Sequence, residues 1–288
     1  MPRHRPHQTQ PRQPRSPDPS TPGHRPPLRP FTTTLWEYPS QHYDRFVERP
    51  GGKRELVSAM QGDREYAGAT PSWVIWQLLQ RYTREGDTVV DPMCGSGTTL
   101  DVCSDLSRKG IGFDLAPRRP DIRQADARRL PLPNASADFV FVDPPYSTHI
   151  NYSDDPACIG KLDAAGRDDG HAYYKAMEQV IAEIDRVLRP KRYMALYVSD
   201  SWRKRSPGDP GSGTGVFMPI GFELFALLRE RFSPVDIIAV VRHNAKIAAG
   251  QGAARAKAAL EGNYFDRGFN YLFIMKKPEP SGAGRRQA

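Results

Sequence analysis

The stretch TVVDPMCGSGTT, residues 88–99, carries the clearest structural signal in the sequence. Two valines lead into Asp91, Gly95 and Gly97 permit a tight turn, and a helical pattern opens at Thr98, so the stretch predicts a strand, a turn and a helix. Open α/β sheets bind ligands at the carboxyl ends of their strands, where Asp91 would lie. A triphosphate site is disfavoured, because the phosphate-binding loop needs a lysine at the position of Thr98.

A second motif ends another apolar run, ADFVFVDPPY at residues 137–146. The rings of Pro144 and Pro145 fix φ and remove two N–H donors, so this loop would hold an unpaired carbonyl acceptor that a ligand must satisfy. An exocyclic amine meets that need, since the Asp143 carboxylate and the Pro144 carbonyl can accept its two N–H groups. Tyr146 could then stack on the base that carries the amine.

Together the two motifs resemble those of the amino-directed DNA methyltransferases, the N4-cytosine and N6-adenine family. The resemblance covers about residues 70–275 and implies an α/β fold, a Rossmann-like seven-stranded class I methyltransferase sheet with helices on both faces. It implies S-adenosyl-L-methionine as cofactor and four catalytic residues, Asp143, Pro144, Pro145 and Tyr146. The cofactor-binding residues that it implies are Asp91, Pro92, Met93, Cys94, Gly95, Gly97, Thr98, Thr99, Asp114 and Asp126. Met93 stands where the family usually has phenylalanine.

Two further carboxylates extend the predicted cofactor site. Asp114 ends the next predicted strand, 23 residues after Asp91, near the spacing at which dinucleotide-type sites place a ribose-binding carboxylate. Asp126 lies in a third predicted strand, 121–130, and resembles the family residue that accepts from the adenine amino group of the cofactor. A strand order of 3-2-1-4-5 would bring Asp91 and Asp143 to neighbouring strand ends.

The charge of the chain is concentrated at its ends. Of the net +8, residues 1–30 contribute +5 and residues 276–288 contribute +3, so residues 31–275 are neutral. Basic tails hold polyanions without sequence preference. The three cysteines have neither disulfide nor zinc spacing, and no apolar run reaches the roughly 18 residues of a membrane span. We therefore expect a cytoplasmic protein that uses no metal and binds no membrane.

The composition divides the chain into several segments. Thr70 and Pro71 predict the start of a helix, with Thr70 as its N-cap and Pro71 as its first residue. We predict a disordered basic Pro/Arg-rich tail at 1–30, an aromatic arm at 31–69, a methyltransferase domain at 70–277 and a disordered tail at 278–288. Within the domain, insertions are predicted at 147–170, at 201–216 as a basic loop, and at 244–268 as an Ala-rich helical segment.

These patterns predict methylation of an exocyclic amino group of a nucleobase in DNA, at N6 of adenine in preference to N4 of cytosine. The target base would have to be flipped out of the duplex. RNA is the less favoured substrate, although the tetrad also resembles that of tRNA guanine-N2 methyltransferases. The other alternative is a regulator that binds S-adenosylmethionine without catalysis.

Overall fold

The structure is a computed structural model that describes residues 25–63, 65–146, 148, 150–165, 168–207, 209, 215–241, 256–257, 259–265 and 267–279. Most of the predicted tail at 1–30, nearly all of the tail at 278–288 and much of the predicted helical segment at 244–268 lie outside these residues. Residues 256–257 and 259–261 of that segment are helical.

Twelve strands are present among the described residues: β1 Leu35–Trp36, β2 Arg45–Arg49, β3 Lys53–Val57, β4 Thr88–Asp91, β5 Lys109–Asp114, β6 Ile122–Gln124, β7 Ala137–Val142, β8 Leu188–Val198, β9 Ser201–Lys204, β10 Gly215–Met218, β11 Ser233–Val241 and β12 Phe269–Lys276. Eight of them form one sheet in the order β1-β11-β12-β8-β7-β4-β5-β6. Only β12 runs antiparallel to its neighbours within this sheet. The predicted seven-stranded class I sheet is thus confirmed, with β1 added at its edge.

Alternation along the strands divides the core into two layers. Phe139 and Phe141 of β7 pack on one face, whereas Val140 and Val142 pack on the other. Four helices supply the outer layers: α1 Ser72–Tyr82, α2 Thr98–Asp105, α3 His171–Val187 and α4 Ile220–Arg229. Helices α1 and α2 cover the phenylalanine face, and α3 and α4 cover the valine face. Both faces of the sheet are buried, which explains the nearly continuous apolar sequence of β7.

The aromatic arm ahead of α1 is bound to the sheet in two ways. Leu35 and Trp36 of β1 pair in parallel with Ala239 and Val240 of β11. Three aromatic side chains of the arm are buried against α1: Trp36, Tyr38 and Tyr43. Strands β2 and β3 form a separate antiparallel hairpin. The arm therefore leads the chain across the sheet to the start of α1.

Three sequence expectations about local structure were wrong. The residue before α1 is Pro71, and no side chain caps the helix, because the Thr70 hydroxyl donates to Asp143 instead. The predicted third strand is only Ile122–Gln124; the Ala125 N–H makes the last hydrogen bond to β5, at the Asp114 carbonyl, and the chain then turns, with the Arg129 N–H donating to the Asp126 carbonyl. The basic loop at 201–216 has strands at both ends, β9 and β10, which pair with each other. Within the described residues, no helix is both long enough and apolar enough to cross a membrane.

Candidate active site

The two sequence motifs meet at the carboxyl edge of the sheet. Strand β4 ends at Asp91 and its parallel neighbour β7 ends one residue before Asp143, with Val89 paired to Phe139 and Val90 to Val140. One cavity between the two loops is lined by Asp143 and Tyr146 together with residues of the first motif, which are Asp91, Met93, Cys94, Gly95, Thr98 and Thr99. Side chains from sequence positions about fifty residues apart thus face one space.

The turn after β4 depends on two glycines with positive φ. Gly95 has φ +47°, and a Cβ there would lie 2.7 Å from the Tyr66 hydroxyl oxygen. Gly97 has φ +79° and precedes α2; a Cβ there would lie 2.4 Å from Nη1 of Arg119. Arg119 in turn forms an ion pair with Asp101 in the first turn of α2. Side chains at either glycine would collide with neighbours and strain the backbone.

Asp91 fixes this turn from within. Its buried carboxylate accepts hydrogen bonds from the Thr99 hydroxyl at 2.5 Å and from the Met93 backbone N–H at 3.0 Å. Burial raises the pKa of Asp91 to about 7, although these two hydrogen bonds oppose the rise. The carboxyl group is therefore poised to change its protonation near neutral pH.

The raised pKa of Asp91 predicts a pH dependence of stability. Between about pH 4 and about pH 7 the folded protein retains a proton at Asp91 that the unfolded chain has released, so the free energy of unfolding falls as the pH rises through this window. Replacement Asp91→Asn should remove that part of the dependence. Denaturant unfolding of both proteins at pH 5, 6, 7 and 8 measures it; parallel pH profiles for the two proteins would contradict the prediction.

A second cavity extends from Asp143 toward β5 and β6. It is lined by Asp114, Asp126, Pro92, Met93 and Pro145, and also by Tyr66, Leu115, Ala125, Ala127, Tyr152, Ser153, Ala157, Cys158 and Ile159. The two cavities share one lining residue from each motif, Met93 from the first and Asp143 from the second.

Two carboxylates of this second cavity are held differently. Asp114 accepts the Gly95 N–H at 3.0 Å through Oδ2 and the Ala116 N–H at 2.9 Å through Oδ1. Each oxygen keeps a further lone pair for a ligand. Asp126 forms an ion pair with Arg128; burial works against its ionised form, but hydrogen bonds from Arg128 hold the pKa of Asp126 below its usual value. Both groups have oxygen lone pairs that can accept hydrogen bonds from a ligand, Asp126 with part of its capacity already used.

Two of the predicted site residues, Gly97 and Pro144, do not line the cavities around Asp143. Gly97 is covered by Arg119 and lines none of the cavities described here. Pro144 is buried, and within the described residues no donor is hydrogen-bonded to its carbonyl. Cys94 lines the first cavity, but its backbone N–H donates to Phe113 and its thiol packs on Gly112, so it also joins the turn to β5.

A hydrogen-bond chain orients the Asp143 carboxylate. Its Oδ1 accepts from the Tyr146 hydroxyl at 2.8 Å, and its Oδ2 accepts from the Thr70 hydroxyl at 2.5 Å. The Tyr146 oxygen then accepts from Nδ2 of buried Asn270 at 3.1 Å. Burial raises the pKa of Tyr146 well above its usual value, so its phenol remains a donor. The carboxylate plane is thereby fixed from two sides.

A third cavity lies on the other side of Asp143. It is lined by Asp143, Tyr146 and Asn270, and by Tyr38, Ser40, Gln41, Gly68, Ala69, Pro71, Trp73, Tyr197 and Val241. Asp143 and Tyr146 therefore line both this aromatic-walled space and the first cavity, which contains the first motif. The Pro145 carbonyl beside them accepts from the Tyr173 hydroxyl at 2.8 Å, which anchors the loop to α3.

Sequence reasoning did not assign site roles to Thr70, Tyr66, Arg119 or Asn270. Thr70 was interpreted as a helix cap from its position before a proline, and that position was the only available signal. Tyr152 lines the same two cavities as Tyr66, and the two rings lie 6.3 Å apart.

One family model matches most of the chain. The model of a family described as DNA methylase matches residues 4–124 and 137–283. The type II methyltransferase M.HpaI of Haemophilus parainfluenzae is 27% identical over 132 residues, 42% of this chain and 37% of that protein. M.MjaII of Methanocaldococcus jannaschii is 32% identical over 65 residues, 23% of this chain and 12% of that protein. Both alignments thus span well under half of the relative.

Among solved structures, TrmN from Thermus thermophilus is 17% identical to the chain, with a TM-score of 0.45. The alignment covers 73% of this chain and 50% of TrmN.

Proposed function

Since the chain belongs to the DNA methylase family of N6 and N4 amino-methyltransferases, we propose that it methylates the N6 amino group of adenine in DNA. The single observation that carries the proposal is the position of Asp143, whose carboxylate lines all three cavities. At this position a methyl group held on one side can meet an amine held on the other.

The cofactor is S-adenosyl-L-methionine, and the cavities around the first motif fit it. Asp114 has acceptor capacity for ribose hydroxyls, and Asp126 accepts as an adenine amino group requires. Gly95 lets the Tyr66 ring, which also lines these cavities, lie close against the turn, since a Cβ there would be 2.7 Å from the Tyr66 hydroxyl oxygen. When bound, the cofactor supplies a sulfonium methyl group, which is electrophilic at carbon. The chain itself needs to supply orientation and electrostatics for an in-line displacement.

The target amine is held by acceptors of the tetrad loop. The Asp143 carboxylate and the Pro144 carbonyl each take one N–H, which turns the nitrogen lone pair toward the methyl group. Because both Asp143 oxygens already accept from protein hydroxyls, the amine takes a remaining lone pair or displaces Thr70. The aromatic-walled third cavity is the proposed place for the flipped base, where Tyr146 lies beside it.

Adenine is preferred to cytosine because aspartate, and not serine, occupies the first position of the tetrad, which is a tendency of the family. The choice between N6 of adenine and N4 of cytosine therefore depends on this one residue, Asp143.

A labelled transfer assay tests both the substrate and the atom. We expect protein incubated with methyl-labelled S-adenosylmethionine and unmethylated genomic DNA to yield N6-methyldeoxyadenosine after digestion to nucleosides. Bulk tRNA in a parallel reaction should take up no label. Label in N4-methyldeoxycytidine would correct the target base, and label confined to RNA would overturn the proposal.

A further inference from the structure

An arginine and a group of aromatic rings lie beside the candidate active site. Arg267 precedes β12, with its guanidinium carbon 5.0 Å from the ring centroid of Phe217 and 5.8 Å from that of Trp202. Trp202 on β9 and Phe217 on β10 are paired across the hairpin with centroids 5.3 Å apart, and Tyr264 lies 6.1 Å from Trp202. We call these four residues the Arg267 cluster.

The guanidinium of Arg267 is only partly used. Its Nη1 donates to the Phe265 carbonyl at 3.0 Å, whereas Nε and Nη2 are shielded from solvent and have no hydrogen-bond partner among the residues that the structure describes. A buried donor without a partner is costly, and two such donors on one cation are unusual in a site with a purely structural role. Nε and Nη2 form one edge of the planar group, which suits two oxygens of a phosphate.

The cluster lies directly beside the catalytic cavities. Ser201, the residue before Trp202, lines the same cavity as Asp143. Asn270, three residues after Arg267, donates to Tyr146 and lines the third cavity. Because β12 is antiparallel to β8, its first residues lie at the carboxyl edge of the parallel strands, where the site is. A nucleic acid with one base in the third cavity would pass close to this cluster.

The exposed surface and the neighbouring charges suit a nucleic acid strand. Trp202 is 42% exposed, Phe217 44% and Phe265 89%, and aromatic rings interleaved with arginine are typical of such surfaces. The neighbouring Arg203 is engaged by Asp163 and Asp209. Asp200, which lines the same neighbouring cavity as Arg267, accepts from the Gly221 N–H and the Tyr271 hydroxyl, so its charge is partly satisfied within the fold.

We propose that Arg267 binds a backbone phosphate of the DNA strand next to the flipped base, with Trp202 and Phe217 supporting its guanidinium. This inference rests on the proposed function, because it takes DNA as the substrate. The unpaired edge is shielded in the free protein, so binding includes rotation of side chains at the cluster, a change that is common at interfaces. The phosphate then supplies the acceptors that the fold does not.

Replacement Arg267→Met tests the inference, since methionine keeps a long apolar side chain over the rings but removes the charge. We expect DNA affinity to fall roughly 10-fold or more, and the slope of log K against log salt to decrease by about 1, as for the loss of one phosphate contact. Binding is measured by titration of labelled duplex DNA with the full chain and S-adenosylhomocysteine at several salt concentrations. Arg84→Met, an exposed arginine at the opposite edge of the sheet, is the matched control and should bind as the unaltered protein does.

A second variant and two further measurements separate the possible causes. Arg267→Lys keeps the charge but lacks the two-donor edge. It should therefore keep the salt slope and bind duplex DNA roughly 3- to 5-fold more weakly. Cofactor affinity should be unchanged in both variants, and their melting temperatures should change little. If Arg267 had a purely structural role, its replacement would lower the melting temperature instead.

The outcomes distinguish this inference from the function on which it rests. If the unaltered protein methylates DNA while Arg267→Met binds it with the same affinity and salt slope, the phosphate contact is wrong and the methyltransferase proposal stands. If the unaltered protein methylates only RNA, the proposed function fails and Arg267 has no role with DNA.

Discussion

Replacement of Asp143 by alanine is expected to reduce methyl transfer at least about 100-fold, within the range found when one preorganised hydrogen-bonding group of an active site is removed. The physical reason is that Asp143 lines all three cavities and supplies an acceptor at their junction. Without it, the amine loses the group that orients its lone pair. Single-turnover transfer of labelled methyl to DNA at saturating cofactor measures the effect on the chemical step alone.

Cofactor binding should survive this substitution. The residues proposed to bind the cofactor, Asp114 and Asp126, lie on other loops, so the dissociation constant should stay within a few-fold of its original value. Asp154→Ala, which removes an exposed carboxylate from the following loop, is the control and should retain full transfer. An Asp143→Ala protein that kept a tenth of the activity would exclude the assigned role.

The second large effect is expected at Asp114. Loss of hydrogen bonds to a charged acceptor costs about 1.5–3 kcal/mol, which corresponds to roughly 10- to 150-fold weaker binding. Asp114→Ala should therefore raise the dissociation constant of S-adenosylmethionine by that factor, while the transfer rate at saturating cofactor changes much less. Equilibrium dialysis with labelled cofactor measures the first quantity, and single-turnover kinetics the second.

Asp114→Asn provides the matched comparison. Asparagine keeps the shape and one acceptor oxygen, so its loss of affinity should be smaller than that of alanine. The substitution also tests the turn, because Oδ2 of Asp114 accepts the Gly95 N–H. Equal affinity for Asp114→Ala and the unaltered protein would contradict the ribose-binding assignment, even with the catalytic loop intact.

The amino-acid sequence by itself determined the central sheet and the meeting of the two motifs. Valine-rich runs before Asp91 and Asp143 are typical of strands that are buried on both faces. Glycines at 95 and 97 are needed where the backbone adopts positive φ. These are local requirements, satisfied within a few residues, and parallel strand order then places both carboxylates at one edge.

Only the tertiary structure decided how the Asp143 carboxylate is held and what adjoins it. Thr70 is 73 residues away in the chain, and Asn270 reaches Tyr146 across 124 residues. The local sequence before Pro71 is equally compatible with a role of Thr70 as a helix cap. The position of Asn270 in a strand does not indicate which residue it bonds to. Such contacts depend on which strands become neighbours and on the path of the arm before α1. No short-range sequence pattern predicts them, because these hydrogen-bonding groups come together only when the chain packs.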